Sequence, residues 1–144
     1  KERIEALNST FETELISLIN NYRQSKGLNS LLVDTDLMRA SRYHAADMGH
    51  ENYFEHATHN RINNQLQRGV STFKRIKRFY SGFANTENCG AGYSSPDAVF
   101  KGWVDSPGHH ANLLNENSTH VGVGFYQTNH SEYKRYWVFE SAVK

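Results

Sequence analysis

The sequence predicts an α+β domain in which helices come first and strands come late. Apolar residues recur at helical spacing from Phe11 to Tyr22 and again from Leu37 to Met48. Near the C-terminus, Val121-Gly-Val-Gly-Phe125 alternates with period two, as in a strand. Because the two kinds of pattern occupy different parts of the chain, we expect layers of helix and sheet rather than alternating βαβ units.

Composition limits the classes of function. The 144 residues suit one domain, and 38% hydrophobic with 12% aromatic residues argues against intrinsic disorder. A net charge of +1 gives no general attraction to nucleic acid, so no nucleic-acid partner is expected. The one cysteine, Cys89, excludes an intrachain disulfide. No apolar run is long enough for a membrane span, and no leader peptide is visible at the charged start.

The first helix follows a polar lead-in at residues 1–8, and the domain is predicted to occupy residues 9–144. Ser9 and Glu12 resemble a capping box, and Gly27 suits the end of this helix. The second helix begins at Asp34 or Asp36 and ends at Gly49. Its inward face is predicted to contain Leu37, Ala40, Ser41, His44, Ala45 and Met48, with His44 as a core histidine.

The middle of the chain has less regular patterning. Residues 50–59 are predicted to form a loop, and 61–69 a short helix that stops at Gly69. A basic run interleaved with aromatic residues follows within 71–84. Its candidate binding residues are Lys74, Arg75, Lys77, Arg78, Phe79 and Tyr80. They suit phosphate or anionic headgroups, but a charged, solvated strand edge is the favoured interpretation.

The last third combines two helix starts with a hairpin. Ser95-Pro96 begins one helix, and Ser106-Pro107 begins a second that presents His109 in its first turn. The Ser106 hydroxyl is predicted to cap that turn. The strand around Val121 and a second strand from Tyr136 to Val143 are separated by a polar turn, which favours an antiparallel pair.

Four motifs in order resemble the CAP superfamily (cysteine-rich secretory proteins, antigen 5 and pathogenesis-related 1), also called the SCP domain. They are Tyr-Phe-Glu-His56-Ala, Thr-Glu87-Asn-Cys-Gly-Ala-Gly-Tyr, Trp103-Val-Asp-Ser-Pro-Gly-His109-His-Ala-Asn-Leu-Leu-Asn and Val121-Gly-Val-Gly-Phe-Tyr. The resemblance covers nearly the whole chain and is strongest to the single-domain bacterial type. It implies an α-β-α sandwich with a three-stranded antiparallel sheet between helical layers and a central cavity.

The resemblance also implies a site. Two histidines and two glutamates line the cavity of many members, and position by position His56, His109 and Glu87 match three of them. The position three residues after Trp103, where the second glutamate is expected, is Ser106, so the tetrad is incomplete. Ser106, His110 and Asn112 are predicted to support the cavity.

Zinc is the cofactor that this site suggests, held weakly by two imidazoles because most catalytic zinc sites have three protein ligands. The alternative is a polar cavity in which Glu87 and the histidines satisfy one another. Cys89 is expected to be a buried, inert thiol.

The resemblance favours an extracellular or cell-surface protein without enzymatic activity, which binds a host protein, a lipid or sterol, or anionic headgroups. The alternative is a zinc-assisted hydrolase or protease that uses His56, His109 and Glu87, with Glu87 as its acid and base. The sequence predicts no oligomeric state.

Overall fold

The computed structural model describes residues 4–144, and the first three residues of the predicted lead-in lie outside that range. The described helices are α1 (Ser9–Ser25), α2 (Thr35–Glu51), α3 (Thr72–Lys77), α4 (Pro96–Val104) and α5 (Pro107–Leu113). The strands are β1 (Leu32–Val33), β2 (His59–Ile62), β3 (Gln65–Arg68), β4 (Phe83–Ala91), β5 (His120–Gln127) and β6 (Arg135–Val143).

The central sheet has four strands in the order β1-β5-β6-β4. The predicted β5–β6 pair is antiparallel, and β4 adds to the other edge of β6, also antiparallel. The two-residue β1 pairs parallel with β5 and is a fourth strand of the sheet. The prediction of three antiparallel strands therefore omitted this short strand. Leu32 and Val33 look like a connection in the sequence because so short a strand has no detectable period.

Helices cover both faces of this sheet, which confirms the α+β sandwich. On one face α2 lies directly on β5, since a Cβ on Gly122 or Gly124 would come within 2.2 and 2.5 Å of α2 backbone atoms. On the other face α1, α4 and α5 pack against the apolar side chains of β5 and β6. Trp137 and Phe139 are fully buried there.

Helix boundaries follow local capping chemistry. Asn8, not Ser9, caps α1, because its Oδ1 accepts the backbone N–H of Phe11. Asp34 caps α2 as predicted. The helix continues past Gly49 to Glu51 and ends at Asn52, whose φ of 58° is left-handed.

Residues 61–69 form a hairpin rather than the predicted short helix. Strands β2 and β3 are joined by Asn63 and Asn64, which have φ values of 51° and 65°. Two consecutive left-handed residues match the twist of a tight hairpin, and asparagine tolerates that conformation.

The basic run forms α3 and the approach to β4, not a strand edge. Arg75 and Tyr80 are both buried. Arg75 is bound to Glu87 and Glu140 in the interior, so the prediction that it can bind a lipid or an anion is wrong. Tyr80 borders a cavity beside α3. Phe79 is half-buried against the Arg39 guanidinium. Lys74, Lys77 and Arg78 are exposed. The run is therefore split between a solvated face and a buried one.

Candidate functional site

A cavity of about 420 Å³ opens where four parts of the chain converge. His56 and its neighbours after α2 form one wall, β3 contributes Arg68, β4 contributes Cys89, and α5 contributes His109. The structure therefore brings His56 and His109 together, although they lie far apart in the sequence. Glu87 lies behind the wall, in contact with His56.

His56 is held by Glu87. Its Nδ1 lies 2.9 Å from Glu87 Oε1, and its side chain is 52% exposed whereas that of Glu87 is 2% exposed. Because an ionised carboxylate accepts only, Nδ1 carries the hydrogen in the neutral ring, and Nε2 then keeps a lone pair. The hydrogen bond to Glu87 raises the pKa of His56, against the opposing effect of partial burial.

His109 is oriented by the residue that begins its helix. Its Nδ1 lies 3.0 Å from Ser106 Oγ. Ser106 is the N-cap residue of α5 but makes no side-chain cap hydrogen bond, so the predicted cap is wrong and the hydroxyl contacts the imidazole instead. Burial, followed by the nearby His56, lowers the pKa of His109, which favours the neutral ring.

The backbone around the two histidines is fixed by amide side chains. Asn88 Nδ2 donates to the carbonyl oxygen of His109 at 3.0 Å. Asn112 Nδ2 donates to Asn88 Oδ1 at 2.9 Å and to the carbonyl oxygen of Glu87 at 3.3 Å. Asn112 thus links α5 to β4 beside the cavity.

His110 does not line this cavity, contrary to its prediction as a supporting residue. Its Nε2 lies 2.7 Å from the Tyr22 hydroxyl on α1, and the two rings are in contact. Adjacent residues on a helix point about 100° apart, so one turn cannot direct both His109 and His110 into the same cavity.

A buried ion cluster lies behind Glu87. Arg75 donates to both oxygens of Glu87 at 2.7 and 2.9 Å and to Glu140 Oε2 at 2.9 Å. Glu87 and Glu140 are directly paired across β4 and β6, and Ser41 Oγ donates to the remaining oxygen of Glu140. All three charged side chains are at most 2% exposed.

The two carboxyl groups of the cluster have pKa values shifted in opposite directions. Burial acts to raise the pKa of Glu87, but His56, Glu140 and Arg75 outweigh it and hold that pKa well below its usual range. Burial and the adjacent Glu87 raise the pKa of Glu140, which favours its protonated form. One carboxylate and one guanidinium then balance, as buried charges must.

Arg75 and Glu140 belong to the candidate site, but the sequence predicts neither of them beside His56 and Glu87. The sequence pattern places Arg75 in the basic run, as a candidate for binding a lipid or an anion, and Glu140 within the last strand. A signal exists for Glu140, because a glutamate inside the apolar run from Tyr136 to Ala142 has to be paired if both faces of the strand are buried. No local signal distinguishes Arg75 from Lys74 or Arg78.

Comparison with known proteins identifies the family. The sequence profile of the cysteine-rich secretory protein family, CAP, matches residues 16–141. The chain belongs to the CAP family. It is 35% identical to the uncharacterized protein YkwD of Bacillus subtilis over 121 residues, 83% of this chain and 44% of that protein. It is 30% identical to the B. subtilis membrane protein YlbC, covering 85% of this chain and 34% of the relative. This chain thus spans less than half of either relative.

Solved structures support the same CAP fold. An extracellular SCP-domain protein from Bacillus anthracis superposes with a TM-score of 0.79 at 28% identity, covering 96% of this chain and 42% of that one. An outer surface protein of Borrelia burgdorferi gives a TM-score of 0.75 at 20% identity, covering 92% of this chain and 91% of that one. None of the described helices has the length and apolar character needed to cross a membrane.

Proposed function

We propose that this CAP domain is a non-enzymatic binding domain at the cell surface, whose cavity takes a divalent metal ion such as zinc through His56 and His109. The observation that carries the proposal is the state of the two imidazoles. Each has its Nδ1 engaged by a fixed partner, Glu87 or Ser106. Among residues 4–144, none hydrogen-bonds to either Nε2, and both rings border one cavity.

The donor set fits a zinc ion of modest affinity. Metal-binding histidines commonly donate the other ring N–H to a carboxylate, which fixes the tautomer and makes the ligating nitrogen more basic. His56 donates to Glu87 in this way. Two protein ligands leave the remaining positions to solvent, so the ion should exchange readily. When bound, the metal would supply a Lewis-acid centre for a ligand entering the cavity.

The same geometry weighs against the hydrolase alternative. A general base near the metal needs a carboxylate free to accept a proton, with a pKa near the working pH. Both oxygens of Glu87 already accept hydrogen bonds from Arg75, and its pKa is held low. Glu140 is fully buried, and its two oxygens accept hydrogen bonds from Arg75 and Ser41. A binding role therefore suits these residues better than acid–base catalysis does.

Isothermal titration calorimetry with zinc chloride tests the proposal. The wild-type domain should bind one ion, and His56→Ala or His109→Ala should lower the affinity at least about 10-fold. The exposed His130→Ala is the matched control and should behave as wild type. If His56→Ala and wild type give the same heats, the metal proposal is wrong.

A lipid-binding function is supported by a second cavity. It has a volume of about 350 Å³ and lies beside α3, lined mainly by Phe73, Ile76, Tyr80 and Phe83. Phe73 and Phe83 are 50% and 70% exposed. Lys77 also lines it, and Lys74 and Arg78 are exposed on the same short helix. Aromatic side chains next to cations suit an amphiphile with an anionic headgroup.

Sedimentation with lipid vesicles separates this function from the first. Vesicles containing phosphatidylglycerol should retain the domain, and Phe83→Ser should abolish retention, whereas neutral phosphatidylcholine vesicles should not retain it. Leu7→Ser removes a comparably exposed apolar side chain, 57% exposed, away from this cavity and serves as control. Equal retention of the Phe83→Ser and Leu7→Ser variants would exclude the lipid-binding function.

A further inference from the structure

His44 has an imidazole nitrogen without a partner in the protein interior. The residue is fully buried, and its Nε2 lies 2.7 Å from the carbonyl oxygen of Glu55. A carbonyl accepts only, so Nε2 carries the hydrogen and Nδ1 presents a lone pair. Nδ1 is buried without a hydrogen-bond partner. Burial, with the charge of Arg75, lowers the pKa of His44 to about 4, so protonation does not occupy this nitrogen near neutral pH.

The imidazole of His44 lies close to a thiol and a carboxylate. One imidazole nitrogen of His44, Sγ of Cys89 and a carboxylate oxygen of Glu87 all lie within 4.8 Å of one another, and Nδ1 is the nitrogen with a lone pair to offer. Cys89 Sγ has only long contacts, 3.6 Å to Glu87 Oε1 and 3.7 Å to His56 Nδ1. Metal–sulfur and metal–nitrogen bonds of about 2.3 and 2.0 Å span about 4.3 Å, so one ion can reach both donors after a small adjustment.

This cluster of His44, Glu87 and Cys89 borders the cavity through Cys89. Cys89 is buried but borders the cavity with His56 and His109, whereas His44 and Glu87 lie deeper. Of the three donors in this cluster, Cys89 is therefore the one that an ion in the cavity can reach first. The donors also differ in kind from the two open imidazoles, because they include a polarisable sulfur in a dry environment.

We propose that Cys89 Sγ and His44 Nδ1, with Glu87 as a third and weaker ligand, form a second metal site that is selective for a soft monovalent ion, Cu(I). Thiolate and imidazole together favour Cu(I) over harder ions. Charge supports a monovalent ion, because the Arg75–Glu87 pair is already balanced and a thiolate with Cu(I) adds no net charge to the interior. A divalent ion would leave one uncompensated positive charge there.

Binding breaks the Cys89 S–H bond and forms a copper–sulfur bond. The sulfur keeps the electron pair, the proton leaves to solvent, and copper stays in its monovalent state. No oxidant or reductant is consumed. Burial raises the pKa of the Cys89 thiol, so the ion has to displace a proton rather than meet a preformed thiolate.

Anaerobic competition between the domain and a chromophoric Cu(I) chelator tests the inference, with the chelator's absorbance as readout. Losing an outer-shell partner costs about 10- to 100-fold in metal affinity, so Cys89→Ser, which removes a direct ligand, should weaken Cu(I) binding at least about 100-fold. His109→Ala removes a proposed zinc ligand whose side chain contacts Ser106 rather than Glu87 or Cys89, so this variant should keep Cu(I) binding within a few-fold. Conversely, Cys89→Ser should still bind zinc in the calorimetric titration. The experiment can therefore reject the Cu(I) site without rejecting the zinc site, and the reverse.

X-ray absorption at the copper edge of the wild-type complex provides the second measurement, which needs no variant at the buried histidine. The spectrum should require one sulfur and at least one imidazole nitrogen in the first coordination shell. A sulfur-free shell, a shell without nitrogen, unchanged Cu(I) affinity in Cys89→Ser, or loss of Cu(I) binding in His109→Ala would each overturn the proposal.

Discussion

Replacing Arg75 by methionine tests the buried cluster that orients His56. The guanidinium is 1% exposed and donates to Glu87, to Glu140 and to the carbonyl oxygen of His56. Methionine has a similar length but no charge and no donors. The variant therefore leaves two opposed carboxyl groups buried without their cation.

The expected loss of stability is large. Removing one partner of a buried ion pair costs about 3–5 kcal/mol, because the remaining charge is left uncompensated. A domain of this size has a total stability of about 5–15 kcal/mol, so the loss is a large fraction of the whole. The corresponding fall in melting temperature is of the order of 10 °C.

The loss should also depend on pH, with a definite sign. In the wild type, the pKa of Glu87 is lower in the folded than in the unfolded state, so its contribution is present above the ordinary value of 4.5 and lost as pH falls. Without Arg75, burial dominates and raises that pKa, so folding takes up a proton. The stability deficit relative to wild type should therefore grow from about pH 5 to about pH 7, by at most about 1.4 kcal/mol per pH unit for one proton.

Urea unfolding followed by tryptophan fluorescence measures the deficit, because Trp103 and Trp137 are buried. Arg78→Met is the matched control, since this arginine follows α3 and is exposed. It should change stability by no more than about 0.5 kcal/mol. If Arg75→Met costs no more than Arg78→Met, or if its deficit does not grow with pH, the account of the cluster is wrong.

Two further predictions concern close packing and titration. Gly124→Ala should lower the free energy of unfolding in urea by about 1–3 kcal/mol, because its Cβ would lie 2.5 Å from the α2 backbone. Gly108→Ala is the control, since its Cβ would have no atom within 4 Å, and it should be neutral or stabilising. Equal losses of stability in the two variants would contradict the close contact. In proton NMR titrations the pKa of His56 should lie above the ordinary value of 6.5, and it should fall in Glu87→Gln. His44 should stay neutral until about pH 4. An unchanged pKa of His56 in Glu87→Gln would refute the contact with Glu87.

The sequence predicted those parts of the fold and site that depend on local pattern. The inward face of α2 follows from helical spacing, and every residue placed on it is buried. Ser95 with Pro96 correctly predicts the start of α4 because caps act through neighbouring backbone groups. The family motifs were sufficient to identify His56 and His109, and the structure brings both to one cavity.

The rest depends on contacts between distant residues. Arg75 lies in a run of similar cations, and only the pairing of Glu87 with Glu140 across β4 and β6 determines which cation is buried. The β2–β3 hairpin was missed because Asn63-Asn64 is a weaker turn signal than Asn-Gly. The contact of Ser106 with His109 replaces a cap that local chemistry favours. Contacts in the tertiary structure decide which partner the Ser106 hydroxyl takes, the first turn of α5 or His109.

A crystal of the domain grown with zinc chloride, with diffraction data collected on both sides of the zinc absorption edge, tests the central claim most directly. We expect one anomalous peak in the cavity within bonding distance of Nε2 of both His56 and His109, with Glu87 still bound to Arg75. A cavity without a peak, or an ion bonded to Glu87 in place of Arg75, would contradict the account.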